Sequence, residues 1–201
     1  TALTHAVEGA EDRTEQGAAE IDARAVDGRD IVIGIATSGR TPFVLGAARR
    51  ARERGAHTVG LVCHRPSRLR ALVHTEIAPL VGPEVIAGST RLKAGTATKM
   101  VLNMISTGAM VRIGKTFGNR MVDLRPTNEK LRLRTRRILR DLAGLGDDQA
   151  RALLEATSGR LKPALVAALA GVAPAEAEAL LEQHGGQVRR AVQAATGVDP
   201  R

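Results

Sequence analysis

The stretch Ile31-Val32-Ile33-Gly34-Ile35-Ala36, followed by Thr37-Ser38-Gly39-Arg40-Thr41-Pro42, decides the reading of this chain. Its first half is a continuous apolar run with no polar alternation, the pattern of a strand buried on both faces. Its second half is a polar turn. Pro42 suits the first turn of a helix that continues to about Arg54, and Gly55 suits its stop. Working outward, a second strand covers His57 to Val62, Pro66 to Leu72 reads as a short helix, and a third strand covers Ile77 to Val81. Strands alternating with helices predict an α/β fold on a parallel sheet. The connection Gly82 to Thr90 leads into a long helix from about Leu92 to Ile113, in which Met100, Leu102 and Met104 are expected in the core. A further helix is expected from about Thr127 to Ala143, and Thr1 to Ala25 reads as helical.

Composition narrows the chemistry. Aromatic residues make up 1% of the chain, with no Trp, no Tyr and only Phe43 and Phe117, so the core must be built from Leu, Val, Ile, Ala and Met. The formal net charge of +9 admits nucleic acid, a membrane surface or a small anion as partner. The densest basic stretch is Arg132, Arg134, Arg136, Arg137 and Arg140. On a helix these residues occupy the exposed side, while Leu131, Ile138, Leu139 and Leu142 face inward. A solvated helix face is the favoured reading over a nucleic-acid surface, because stacking platforms for single strands are almost lacking. Cys63 is the single cysteine, which excludes an intrachain disulfide and a thiolate cluster. It sits in an apolar run and reads as a core residue. No apolar stretch reaches the roughly 18 residues of a membrane span and no signal-peptide pattern opens the chain, so a cytoplasmic location is the expectation.

Beyond Gly146 the chain turns to short Ala- and Leu-rich helices with an internal repeat. Ala152-Leu153-Leu154-Glu155 with Gly159, Leu161 and Ala164 recurs at one constant offset as Ala179-Leu180-Leu181-Glu182 with Gly186, Val188 and Ala191. Two tandem helical hairpins are the simplest reading. The expected organisation is a sheet-bearing domain over residues 1–144 and a helical one over 145–201, reminiscent of ubiquitin-associated-type (UBA-like) three-helix modules.

Small hydroxyl residues and a glycine at the carboxyl end of a parallel strand, opening a helix, suit an anion. Backbone N–H groups and the positive helix end point at the ligand, and the Ser38 and Thr41 hydroxyls can bond phosphate oxygens. The competing reading is a plain side-chain cap by Ser or Thr. Ser89 and Thr90 also precede a helix, with Arg91, Lys93 and Lys99 near its first turns. Two such loops at one sheet edge make a cleft for a phosphorylated small molecule. For Lys93 a solvated helix lysine is an equal alternative.

These loops carry a resemblance. Ala36-Thr37-Ser38-Gly39-Arg40-Thr41 is similar to the second phosphate loop of sugar isomerase (SIS) domains, and Gly82-Pro83-Glu84 followed by Ser89-Thr90 looks like that family's third ligand loop. Within the family, His5-Ala6-Val7-Glu8-Gly9-Ala10-Glu11-Asp12 resembles the N-acetylmuramic acid 6-phosphate etherases. So do Ala87-Gly88-Ser89-Thr90-Arg91-Leu92-Lys93-Ala94-Gly95-Thr96 and Phe117-Gly118-Asn119-Arg120-Met121-Val122-Asp123. The resemblance implies a three-layer, flavodoxin-like SIS sheet and a lyase that cleaves the D-lactyl ether of N-acetylmuramic acid 6-phosphate in cell-wall amino sugar recycling. The products are N-acetylglucosamine 6-phosphate and D-lactate. It implies acid/base chemistry by two carboxylic groups, with no cofactor and no metal. It places one catalytic glutamate on Glu11, with Glu8 supporting the helix. It gives Ser38, Gly39 and Thr41 to the phosphate, Ser89 and Thr90 to the sugar site, and Glu84 to a further sugar contact, while Lys93 is a candidate substrate contact by its charge beside the second loop. Intact members are implied to be homodimers, with no nucleic acid or membrane partner.

The resemblance also assigns the other catalytic glutamate, the first phosphate loop and the first strands to a segment upstream of Thr1. The sheet is therefore expected to be truncated at its N-terminal strands, with the edge of Ile31 to Ala36 unpaired and the chain weak in turnover by itself and prone to association. Two other readings compete. One is a non-catalytic sugar-phosphate sensor built on the same cleft. The other is a DNA-binding regulator, which needs a helix-turn-helix that is not visible before Asp30.

Overall fold

The computed structural model describes residues 7–200. His5 and Ala6 of the first etherase-like motif, and the start of the helix expected from Thr1, lie outside these residues. The described chain forms two compact units, divided between Asn103 and Met104.

The first unit is α/β. Strands β1 (Ile31–Ile35), β2 (His57–Leu61) and β3 (Thr75–Ile77) form a parallel sheet in the order β1-β2-β3. Its register runs from Ile31 opposite His57 to Ile35 opposite Leu61, then from Val59 opposite Thr75 to Leu61 opposite Ile77. Helix α2 (Pro42–Glu53) starts with Pro42 and ends before Gly55, whose φ of 85° requires the freedom of a glycine. Helix α1 (Thr14–Ala23) packs on α2, and a 3-10 turn at Ala10–Asp12 precedes it.

Two glycines opposite one another in the sheet, Gly34 and Gly60, make room for this cover. A methyl on Gly34 would stand 2.9 Å from Val44 of α2, and one on Gly60 would stand 3.0 Å from Leu69. Val44, Ala48, Val62, Leu69 and Val73 then close a small apolar core, and Ile21, Val26, Ala51 and Ala56 close another beside it. On the opposite face Leu61 is buried, but Ile31 is 68% and Ile35 42% exposed. Among the described residues α2 packs on β1 and β2, and β1 pairs with β2 alone, as expected of a sheet truncated at its N-terminal strands.

The third strand begins two residues earlier than expected and ends at Ile77 instead of Val81. The reason is the partner's length. Pairing starts where the buried Thr58 is anchored by His74, whose Nδ1 accepts from the Thr58 N–H at 3.1 Å, and the last rung is Val62 N–H to the Ile77 carbonyl. After Cys63 the chain turns away, so Ala78 to Val81 have no strand to pair with. The segment expected as a short helix from Pro66 is a 3-10 turn over Leu69–Leu72.

Helix α3 (Lys93–Arg112) spans the division between the units. Ala94 and Val101 are its buried residues, while Met100 is 54% and Met104 63% exposed. The expectation that these methionines are core is corrected. The helix presents apolar residues all round, so periodicity had no stripe with which to select an inner face.

After α3 the second unit continues with an antiparallel hairpin, β4 (Thr116–Phe117) and β5 (Arg120–Met121), turned by Gly118-Asn119 with Gly118 at φ 54°. Five helices follow: α4 (Glu129–Ala143), α5 (Asp147–Ala156), α6 (Leu161–Ala170), α7 (Pro174–Gln183) and α8 (Val188–Thr196). Asn128 caps α4 by accepting from the Leu131 N–H at 2.9 Å. Ile138 and Leu139 of α4 join one core with Leu154, Leu161, Leu165, Val188 and Val192. This shared core puts α4 with the helices that follow it, so the compact units do not divide at the 144/145 boundary read from composition. The arginines of α4 stay outside, Arg136 and Arg140 paired with Asp147, Arg137 with Asp141 and Arg132 with Glu129.

The repeat is structural. Ala150 and Ala177, Leu154 and Leu181, Leu161 and Val188, and Ala164 and Ala191 are all buried at matching places in α5–α6 and α7–α8. Each hairpin turns through two successive residues of positive φ, Ser158-Gly159 and Gly185-Gly186, closed by a 2.7 Å bond from the second N–H to the carbonyl of Leu154 or Leu181. Four helices in two hairpins form here, as the repeat predicted, and they do not group as a three-helix module. Among the described residues no single helix is long and apolar enough to cross a membrane.

Candidate functional site

The three parallel strands end at one edge of the sheet, and three segments leave from it. The loop after β1 is the most tightly built. The Gly39 N–H donates to the Ala36 carbonyl at 2.9 Å and closes a turn in which Gly39 has φ 65°. Cys63 N–H donates to Thr37 at 2.9 Å and Leu69 N–H to Gly39 at 3.0 Å, so the next segment of chain pins the loop from below. The Ser38 hydroxyl is exposed and accepts from the Arg40 N–H at 3.3 Å.

The competing reading of this loop, a side-chain cap, is not what the geometry contains. Thr41 occupies the cap position of α2 and makes no side-chain cap bond. Pro42 removes one orphan donor, and the Thr41 side chain leaves the rest of the first turn uncapped. With the positive end of the helix, this suits an oxyanion.

The loop before α3 is built differently. Both oxygens of Glu84 accept from the first turn of that helix, Oε2 from Lys93 N–H and Oε1 from Ala94 N–H, each at 2.9 Å. The amide of Ala94 and then that of Lys93 hold the Glu84 carboxyl below its ordinary value, with help from the Lys93 charge. Glu84, expected to contact a sugar, caps this helix start. Ser89 N–H donates to Ile86 and Gly95 N–H to Thr90. Ser89 is half-buried and Thr90 exposed. Lys93 is exposed, and with Arg91, Leu92, Thr96 and Met100 it lines an open hollow of about 580 Å³.

Cys63 links the two loops. Its N–H bonds Thr37, and its Sγ lies 3.8 Å from both the Ala94 carbonyl and Thr98 Oγ1. The residue is buried, in keeping with a core reading, yet it also ties the β1 loop to the first turns of α3. Ser67 has a similar place that the sequence reading passed over. Its hydroxyl is buried directly against Gly39. The available signal was position, since a serine two residues after Arg65 leaves the same sheet edge as Ser38.

Glu11 lies in the 3-10 turn Ala10–Asp12, exposed, after Gly9 at φ 71°. That turn packs on α2. Its support is the close crossing of α1 and α2. A methyl on Gly17 would stand 2.0 Å from the Phe43 carbonyl oxygen, and one on Gly46 2.0 Å from that of Thr14. Glu11 is thus carried by an element fastened to the helix that Thr41 opens. Among the described residues, no group of three or more His, Cys, Asp and Glu side chains gathers as around a metal.

A parallel sheet whose carboxyl edge presents an uncapped helix start, two hydroxyl-bearing loops and adjacent cations defines an α/β protein with an anion-suited edge. No family model matches the chain. Relatives do. The chain is 54% identical over 165 residues to the N-acetylmuramic acid 6-phosphate etherase of Rhodopirellula baltica, covering 82% of this chain and 55% of that protein. It is 56% identical over 162 residues to the protein of the same name from Rubrobacter xylanophilus, covering 81% and 54%, and 51% identical over 168 residues to that of Streptomyces coelicolor, covering 84% and 54%. The chain is a homologue of proteins named N-acetylmuramic acid 6-phosphate etherase, as its motifs implied. It spans about half the length of the curated relatives it matches.

Proposed function

We propose that this chain carries the phosphate loop and one catalytic carboxylate of an N-acetylmuramic acid 6-phosphate etherase, on a SIS-type sheet. The carrying observation is the Thr37–Thr41 loop, with a helix start that no side chain caps, in a chain about half identical to etherases. The phosphate of the amino sugar sits on Ser38, Gly39 and Thr41, where amide hydrogens and the helix end favour a dianion. Ser89 and Thr90 line the sugar, and Lys93 adds charge.

Ether cleavage asks for removal of a weakly acidic proton next to the masked aldehyde, expulsion of the lactyl alkoxide, and addition of water to the unsaturated sugar. One carboxylate acts as base and a carboxylic acid protonates the leaving oxygen. Glu11 is assigned to one of these roles. The enzyme acts as a homodimer on a phosphorylated amino sugar in the cytoplasm, without a cofactor.

A second reading, sugar-phosphate binding without turnover, is favoured by one observation: Glu84, the carboxylate of the second loop, is occupied by the start of α3. D-lactate release from N-acetylmuramic acid 6-phosphate separates the two. The etherase reading expects slow release by the purified chain that Glu11→Gln abolishes and Ser38→Ala reduces. Tight binding of N-acetylglucosamine 6-phosphate with no lactate, unaffected by Glu11→Gln, establishes the binding-only reading.

A further inference from the structure

Ser67 belongs to the segment that leaves β2 at the same sheet edge as the Thr37–Thr41 loop. Its Oγ is buried and has no hydrogen-bond partner among the described residues. It lies against Gly39, where an added methyl would stand 2.3 Å from Ser67 Oγ and 2.7 Å from Ser67 Cβ. Two residues on, the Leu69 N–H holds the Gly39 carbonyl at 3.0 Å. The Ser67 segment and the loop therefore meet through one backbone bond and one unsatisfied hydroxyl. Arg40 beside Gly39 and Arg68 beside Ser67 are both exposed cations.

A buried hydroxyl without a partner destabilises the fold that contains it, and such groups are rare enough to need a reason. Alanine at this position would keep the packing and remove that penalty. The hydroxyl makes sense if its hydrogen bond forms in a different state of the loop. A group left unsatisfied in the free protein and satisfied in the complex contributes to affinity by the difference between the two states.

We propose that Ser67 is a positioning residue of the phosphate loop, whose hydroxyl bonds the loop backbone once a sugar phosphate is seated at Ser38 and Gly39. This rests on the reading of the β1 loop as the phosphate site. Ser67 then holds the Gly39 and Arg40 amides in place without itself touching the sugar.

Calorimetric titration with N-acetylglucosamine 6-phosphate and thermal unfolding without ligand, on the same preparations, test it. Ser67→Ala is expected to weaken binding about tenfold while the ligand-free Tm stays level or rises. A merely structural serine predicts the opposite pairing, so loss of affinity together with a lower ligand-free Tm overturns the proposal. So does unchanged affinity in Ser67→Ala when Ser38→Ala loses binding. If Ser38→Ala binds as the unaltered chain does, or the unaltered chain does not bind, the phosphate-loop reading falls and takes this inference with it.

Discussion

Both oxygens of Glu84 accept amide hydrogens from the first turn of α3, at 2.9 Å each. A carboxylate placed there also meets the positive end of the helix. Those amides lower the Glu84 pKa from its ordinary value of 4.5. The sign follows from linkage: the folded state holds the proton less tightly than the unfolded one, so the contribution is complete above the unfolded pKa and is lost as pH falls through the folded one. Amide protection at Lys93 and Ala94, followed by hydrogen exchange, should therefore fall as pH drops below 4.5. Glu84→Gln should lower that protection at neutral pH and remove this pH dependence. The role was invisible in the chain because Glu84 lies nine positions before Lys93, outside the spacing of a local capping box. The loop through Gly82 and Gly88, both at positive φ, brings it back.

At the scale of elements, α1 and α2 approach each other through glycines. Gly46 is helical, and in a free helix alanine there would stabilise by about 1 kcal/mol. In this protein the added methyl would stand 2.0 Å from the Thr14 carbonyl oxygen, a backbone atom that cannot turn aside. Gly46→Ala is expected to destabilise by about 1–3 kcal/mol in chemical unfolding, because the helices must separate. Since the turn bearing Glu11 packs on α2, the same variant should reduce lactate release more than Ser38-dependent binding. The end of β1 and the bounds of α2 were legible because Pro42 and Gly55 punctuate them. The bounds of β3 were not, since an apolar segment such as Ile77 to Val81 is a strand only as far as a neighbour pairs with it.

For the whole molecule, a formal net charge of +9 frames any anionic ligand. On α4, Arg132, Arg136, Arg137 and Arg140 face Glu129, Asp141 and Asp147, which offsets part of that helix's charge. Exposed Arg40, Arg68, Arg91 and Lys93 flank the candidate loops. Affinity for N-acetylglucosamine 6-phosphate should fall several-fold between about 50 mM and about 500 mM salt, as the Debye length shortens below the spacing of exposed charges. An affinity independent of salt would place the ligand away from these cations.

The order of strands and helices, the hydroxyl loop after β1 and the duplicated hairpins can all be read from the chain, because each depends on residues close in sequence: an apolar run, Thr37-Ser38-Gly39, a repeated Leu-Leu-Glu with its glycine. Motif agreement likewise pointed to the etherases before any coordinates. What needed three dimensions depends on residues brought together from afar. Glu84 caps a helix start, Cys63 joins Thr37 to Ala94, and Ser67 lies beneath Gly39 because parallel strands deliver their ends to one edge. The exposure of Met100 and Met104 has the same origin, since burial is set by what packs against a side chain and apolarity alone does not provide a neighbour.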